Sequence, residues 1–216
     1  LDSGTALPIG YRDRSGQLHR RSPATRTLFS GYSSARCCSP IPRRLPFLMR
    51  VLMLASYFPK PRNHIMGNWA LAQAQAIQAC GAEIEVVSGT SWVPPFAARG
   101  AGARAYALCP PTHNWNGLTA HYPRWLFYSF PQLYRSLAQN PAPQVRLAWW
   151  SARSSFLAHV DRFRPDILYC HHTQINGFIA RQLQKLRGIP YVVTDHDFGE
   201  LDSCLAFPRR RRFLTD

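Results

Sequence analysis

The sequence predicts an α/β fold in which helices cover both faces of an open, mostly parallel sheet. Several short apolar runs lack the alternation of a half-exposed strand, which indicates strands that are covered on both faces. A helix-length segment, residues 173–187, separates two of these runs, 165–172 and 188–195. This is the arrangement of a strand–helix–strand crossover between parallel neighbours. The predicted fold class is therefore Rossmann-like.

The predicted elements follow one another from residue 49. Residues 49–59 form an apolar run that predicts the first strand. Asn68 is a good N-cap residue ahead of an Ala- and Gln-rich helical segment, and Gly81 is placed to end that helix. The next predicted strands are residues 82–88 and 103–109.

Histidines stand at the carboxyl ends of the last two predicted strands. His171 and His172 end the run 165–172, and His196 follows the run 188–195. The carboxyl ends of parallel strands meet at one edge of the sheet, which is where open α/β sheets bind ligands. We therefore expect these histidines to share one cleft.

The order and spacing of these segments resemble the N-terminal domain of family 4 glycosyltransferases. The resemblance rests on the strand at 49–59, a glycine before a long Ala/Leu/Gln helix, and the runs 80–88, 164–171 and 188–197. It covers residues 49–202, with little to compare between 90 and 145. It implies the N-terminal, acceptor-side half of the two-domain GT-B architecture.

The resemblance also implies substrate-binding residues after the first strand. In the family, a glycine pair there approaches the sugar-nucleotide phosphates or the acceptor. In this sequence Gly67 stands at that place and Met66 replaces the other glycine. Gly67 and Asn68, whose amides open the next helix, are expected to bind substrate as an anion site. A plain turn is the alternative.

His196 is the predicted catalytic residue, because it matches the family's histidine that contacts the transferred sugar. Asp195 and Asp197 flank it and are predicted to hold its tautomer and to bind substrate. His171 matches the second histidine of the family's His-x-His, where Tyr169 replaces the first. For both histidines a structural role at the strand end is the alternative.

A metal site is not expected. The adjacent residues His171 and His172 point to opposite faces of a strand, so both cannot easily hold one ion. The sequence also contains no His-x-x-x-His or Cys-x-x-Cys pair.

The function implied by the resemblance is transfer of a hexose from a nucleotide-sugar to the hydroxyl of a glycan or lipid-linked acceptor. The nucleotide-sugar is a substrate, and no cofactor is expected. The 216 residues leave no room for the family's donor-binding domain, so we expect the isolated chain to be an inactive half of an enzyme. The alternative is a non-catalytic module that binds a nucleotide or a glycan.

The two ends of the chain differ in composition from the predicted domain at 49–202. Residues 1–48 contain eight Arg and no Lys or Glu, and are expected to be a disordered leader. This composition resembles a transit peptide, but Met49 opens the first strand, which favours upstream read-through. Residues 203–216 are interpreted as a basic tail or a truncation remnant.

Charge and hydropathy limit the partners. Residues 49–208 hold 14 basic against 8 acidic residues, without the clustered basic face of a nucleic-acid-binding protein, so no nucleic-acid partner is expected. No apolar run reaches transmembrane length, and a cytoplasmic location is expected. The aromatic, basic segment 121–135 is compatible with peripheral contact at the inner face of the membrane. Packing of this segment against the sheet is the alternative.

Overall fold

A computed structural model describes residues 48–128, 139–195 and 206–215, together with the backbone of two short strands nearer the N-terminus. The chain forms two compact units, Leu1–Arg44 and Leu45–Asp216. In the first unit, β1 (Tyr11–Arg12) pairs antiparallel with β2 (Leu18–His19). The boundaries expected for the leader, the domain and the tail stay predictions.

The second unit is built on a six-stranded sheet. The strands in chain order are β3 (Arg50–Leu54), β4 (Glu83–Val87), β5 (Thr90–Ser91), β6 (Thr112–Trp115), β7 (Leu118–His121), β8 (Arg124–Trp125), β9 (Ile167–His171) and β10 (Tyr191–Thr194). The sheet runs β10-β9-β3-β4-β7-β6, and all neighbours are parallel except the antiparallel pair β6 and β7. Strands β5 and β8 form a separate parallel pair.

Five helices connect or flank the strands within the described residues. They are α1 (Asn68–Ala79), α2 (Gly100–Ala107), α3 (Ala142–Phe163), α4 (Phe178–Arg187) and α5 (Pro208–Thr215). A π-helical turn, Thr173–Gly177, leads into α4. Helix α5 contains the basic run near the end of the chain, and its Phe213 stacks on Phe178 with ring centroids 5.5 Å apart.

Apolar side chains alternate along β3 and thereby build a core on each face of the sheet. Leu52 and Leu54 face the core that contains the buried residues of α3 and α4. Val51 and Met53 face the opposite core, which contains Ala70 and Ala74 of α1. Helices therefore cover both faces, and the predicted α/β, Rossmann-like, mostly parallel fold is confirmed.

One predicted strand is wrong. Residues 103–109 were expected to be a strand, but Gly100–Ala107 is helix α2. Half of its residues are Ala and one is Arg, which favour a helix, and short apolar runs do not distinguish helix from strand. The hairpin of β6 and β7 occupies that part of the sheet instead. Its turn is Asn116-Gly117, with φ 53° and 91°, the sequence signature of a tight hairpin.

The described part of the aromatic segment 121–135 packs into the domain. Tyr122 and Trp125 are buried in the two cores, and His121 is buried at the end of β7. Residues 129–138 of the segment lie outside the described residues. Across the described ranges, the structure contains no helix both long enough and apolar enough to cross a bilayer.

Strand β10 forms one edge of the sheet as described. Two neighbouring apolar residues, Val192 and Val193, are 47% and 36% exposed there. Neither face of this strand is as well covered as the faces of β3, whose residues 51–54 are all buried.

Gly67 sets helix α1 against the end of β3. It occupies the N-cap position of α1 with φ 78°, and a Cβ on it would lie 2.4 Å from the carbonyl oxygen of Tyr57 and 2.7 Å from the amide nitrogen of Phe58. The prediction that Asn68 caps the helix is therefore wrong. The left-handed Gly67 takes the cap position and Asn68 is the first helical residue, with no side-chain cap hydrogen bond.

A cluster of polar side chains joins the sheet to α3. Nε2 of His121 lies 3.0 Å from Oε2 of Glu85, and its Nδ1 lies 3.1 Å from Oγ1 of Thr112. Arg162 donates to the same Glu85 oxygen, and the rings of His121 and His159 are 4.3 Å apart. A neutral His121 protonated on Nε2 satisfies the contacts with Glu85 and Thr112, since Nε2–H donates to the carboxylate and Nδ1 accepts from the hydroxyl. An amino group of Arg162 also lies 3.1 Å from Nε2.

Burial lowers the pKa of both imidazoles. The pKa of His121 falls to about 4, with a smaller contribution from the Arg162 cation. The pKa of His159 also falls to about 4, first through burial and then through His121 and Arg162. The contact between Glu85 and His121 has the geometry of an ion pair. At pH 7 it is nevertheless a hydrogen bond from a neutral ring.

Gly67→Ala is expected to destabilise the domain far more than Gly81→Ala. Both glycines have positive φ, 78° and 92°, so each substitution costs about 1–2 kcal/mol of backbone strain. A Cβ at Gly81 meets nothing within 4 Å, whereas a Cβ at Gly67 overlaps the Tyr57 carbonyl. This overlap should add about 1–3 kcal/mol. Thermal denaturation measures the difference, and equal midpoints would show that α1 moves away from β3 without cost.

Mild acid is expected to destabilise the domain through the two histidines. Between pH 6.5 and 4 the unfolded chain binds protons that the folded domain does not, so the stabilisation is present above pH 6.5 and is lost toward pH 4. Urea unfolding at about pH 7 and pH 4.5 should show a loss of about 2–4 kcal/mol from this pair. The double variant His121→Gln/His159→Gln should lose correspondingly less. An equal loss in both proteins would contradict the assignment.

Candidate functional site

The order of the strands reverses between β3 and β9. From β3 the chain passes through α1 to β4 on one side, and later returns to add β9 and then β10 on the other side. In open α/β sheets such a topological switch point leaves a crevice outside the carboxyl ends of the two strands. The candidate site is this crevice, between residues 55–58 after β3 and residues 171–176 at the end of β9.

One buried amide ties the two sides of the crevice together. Asn176 is 1% exposed, and its Nδ2 donates to Oγ of Ser56 at 3.1 Å and to the carbonyl oxygen of His171. His171 itself is fully buried, with its ring 5.1 Å from that of Tyr169 in an edge-to-face contact. His171, which was predicted to bind substrate, therefore lies beneath the crevice. This position fits the alternative prediction, a structural role at the strand end.

Asp195 holds the segment that follows β9. Its Oδ2 accepts hydrogen bonds from the amide and the hydroxyl of Thr173, at 3.3 and 2.8 Å. Its Oδ1 lies 3.7 Å from Nδ1 of His172. The described contacts join this carboxylate to residues 172 and 173, and its predicted role beside His196 stays a prediction. His196 and Asp197 lie outside the described residues.

The backbone of His172 is strained where it enters the crevice. It has φ 67° and ψ 128°, a combination that residues with a Cβ rarely adopt. Its ring contacts the ring of Tyr57 edge-to-face, with centroids 5.4 Å apart. Tyr57, in the segment that follows β3 at the switch point, is 46% exposed.

Lys60 is a buried cation that the sequence analysis missed. It is 1% exposed, and its Nζ lies 3.4 Å from the carbonyl oxygen of Phe58 and 5.0 Å from the ring centre of Tyr106. Burial lowers its pKa to about 8. Within the described residues no carboxylate forms an ion pair with it. It differs from a surface lysine only in its burial, which the sequence does not show. Its contacts hold the loop between β3 and α1 in place.

The crevice has the chemistry of a site for a polar, uncharged ligand. Its described groups are an aromatic ring, an imidazole, a partly exposed carboxylate and the hydroxyls of Ser56 and Thr173. Across the described ranges, no group of three His, Cys, Asp or Glu side chains is arranged to hold a metal ion. Such a set can bind hydroxyl groups and exclude water from an apolar ring face.

Comparison with known proteins gives one family and several distant structures. The family model described as "Glycosyl transferase 4-like domain" matches residues 66–215. No curated protein matches the chain. Similar solved structures include the spinosyn rhamnosyltransferase SpnG complexed with thymidine diphosphate, at 23% identity and a TM-score of 0.41, covering 68% of this chain and 34% of that chain.

Two further solved structures are similar over the same share of the chain. One is sucrose-phosphate synthase from Thermosynechococcus elongatus, at 12% identity and a TM-score of 0.45, covering 71% of this chain and 34% of that chain. The other is SsfS6, a glycosyltransferase of Streptomyces sp. SF2575, at 16% identity and a TM-score of 0.36, covering 68% and 39%. The chain thus spans 34–39% of the length of these structures. Because the family model covers more than half of its residues, the chain belongs to the glycosyl transferase 4-like domain family.

Proposed function

We propose that this domain is the acceptor-side half of a GT-B glycosyltransferase that transfers a hexose from a nucleotide-sugar to an acceptor hydroxyl. The acceptor is a glycan or a lipid-linked sugar. Family membership over residues 66–215 is the observation that carries the proposal. The crevice at the switch point supports it, because that is where this fold class binds ligands.

The opening of α1 is the proposed contact for the donor phosphates. The helix begins beside the carboxyl end of β3, its cap is Gly67, and its first turn contains no acidic residue. Amides at a helix N-terminus favour an anion. Gly67 and Asn68 would therefore lie next to the diphosphate. The close fit of Gly67 against Tyr57 requires a glycine at this position even without a phosphate contact.

The end of β10 is the proposed contact for the reacting sugar. Thr194 pairs in register with His171, so the chain leaves β10 at the same edge where β9 ends. His196 follows two residues later and is proposed to contact the transferred sugar. Asp195 and Asp197 would orient it, and His171 would support the strand end from below. No cofactor besides the donor is required by this arrangement.

The proposed setting is the cytoplasm, with peripheral contact at the inner membrane face if the acceptor is lipid-linked. Burial of Tyr122 and Trp125 removes the described half of the segment 121–135 as a membrane-facing surface. Peripheral membrane contact would therefore involve residues other than Tyr122 and Trp125.

Turnover is expected to require a donor-binding domain in addition to this chain. Purified chain, and the same chain fused to the C-terminal domain of a family relative, would be incubated with UDP-, GDP- and TDP-sugars and a panel of glycan and lipid-linked acceptors. We expect transfer only by the fusion. Turnover by the chain alone would contradict the assignment as half an enzyme. Binding without turnover in the fusion would favour a non-catalytic module.

His196→Ala in the active fusion is expected to lower turnover about a hundredfold, which corresponds to about 3 kcal/mol of lost transition-state interaction. The unfolding midpoint should change little, since a residue beyond the strand end contributes little to the core. His113→Ala, at the edge strand β6, is the matched control and should retain turnover. Equal losses in both variants, or unfolding by His196→Ala, would refute the role of His196.

A further inference from the structure

Tyr57 is an exposed aromatic residue whose position is fixed from two sides. Its backbone is held by Gly67, whose α-carbon approaches so closely that no side chain fits between them. Its ring contacts that of His172 at 5.4 Å with an interplanar angle of 70°. Even so, 46% of the residue is exposed, in the segment that follows β3 at the switch point.

The backbone of His172 is strained in the conformation that brings its ring against Tyr57. A sparsely populated conformation costs a residue with a Cβ about 1–3 kcal/mol, and glycine adopts a positive φ at lower cost. The neighbouring structure enforces the strain. The amide of His172 donates to the carbonyl of Thr194 at 3.0 Å, and its carbonyl accepts from the amide of Gly177 at 3.2 Å.

Asp195 completes the support and defines the chemistry beside the ring. It contacts both His172 and Thr173, and its side chain is 29% exposed. A flat aromatic surface next to a partly exposed carboxylate suits a pyranose, whose C–H groups pack on the ring while its hydroxyls donate to the carboxylate. The same carboxylate repels a phosphate, so the surface fits the uncharged part of a substrate.

We propose that Tyr57 is the platform on which a pyranose ring of the acceptor stacks. His172, held in place by Asp195, is the residue that positions the ring of Tyr57. The assignment to the acceptor rests on the proposed function of the domain. Neither Tyr57 nor His172 belongs to the set of substrate-binding residues that the family resemblance implies.

Saturation-transfer difference NMR on the full 216-residue chain tests the platform without any nucleotide-sugar. The probes are the methyl glycosides of glucose, mannose, galactose and rhamnose at millimolar concentration. We expect transfer to the ring protons of at least one glycoside. Tyr57→Ala and Tyr57→Leu should reduce the signal at least fivefold, and Tyr57→Phe should retain it because the flat ring remains. Trp150→Ala, which removes a 66% exposed aromatic residue on α3, is the matched control and should retain the signal.

His172→Gly separates positioning from folding. Removal of the strain should leave the thermal midpoint unchanged or higher, while loss of the supporting ring should lower the glycoside signal at least twofold. Absence of transfer to every glycoside in the unmodified chain would overturn the proposal. So would an unchanged signal in Tyr57→Leu or His172→Gly, or a loss in Tyr57→Phe as large as in Tyr57→Leu.

The outcome is separable from that of the proposed function. Glycoside binding that depends on Tyr57, combined with a fusion that transfers no sugar, would refute transfer and leave the platform standing. Sugar transfer by the fusion with turnover unaffected by Tyr57→Leu would refute the platform and leave transfer standing.

Discussion

The side-chain amide of Asn176 holds together the two strands that flank the switch point. Its two donated hydrogen bonds reach Ser56 after β3 and the carbonyl of His171 at the end of β9. Because the amide is buried, loss of these bonds would leave polar groups unsatisfied inside the domain, which costs more than the bonds themselves contribute. The directions in which the chain leaves both strands, and hence the positions of Tyr57 and His172, depend on this link.

Backbone geometry shapes the crevice more than charge does. Gly67 permits a contact between α1 and the chain after β3 that a single methyl group would prevent, and His172 accepts a strained conformation to reach its place. Lys60, buried against Tyr106, fixes the loop between these points from inside the domain. These contacts restrain the chain around the crevice in the absence of a ligand, and prior restraint of this kind lowers the cost of ordering on binding.

The sequence predicts much of the fold because local signals define it. Uninterrupted apolar runs locate β3, β4, β9 and β10, and Gly81 follows the end of α1 with the left-handed backbone expected of it. The strand predicted at 103–109 is wrong because the composition of this run suits a helix. The hairpin does have a local sequence signal, the turn Asn116-Gly117, which the prediction did not include. The site is less predictable. Asn176 and its partner Ser56 are 120 residues apart, and Lys60 differs from a surface lysine only in burial.

The exposed edge strand β10 has a consequence for the behaviour of the domain in solution. Val192 and Val193 leave one exposed apolar side chain on each face of this edge strand. Natural sheets usually protect such edges with charge or proline, because an unprotected edge templates the addition of another strand. Among the described residues this edge is therefore open to strand addition, and a lysine at position 192 would be the simplest means of protecting it.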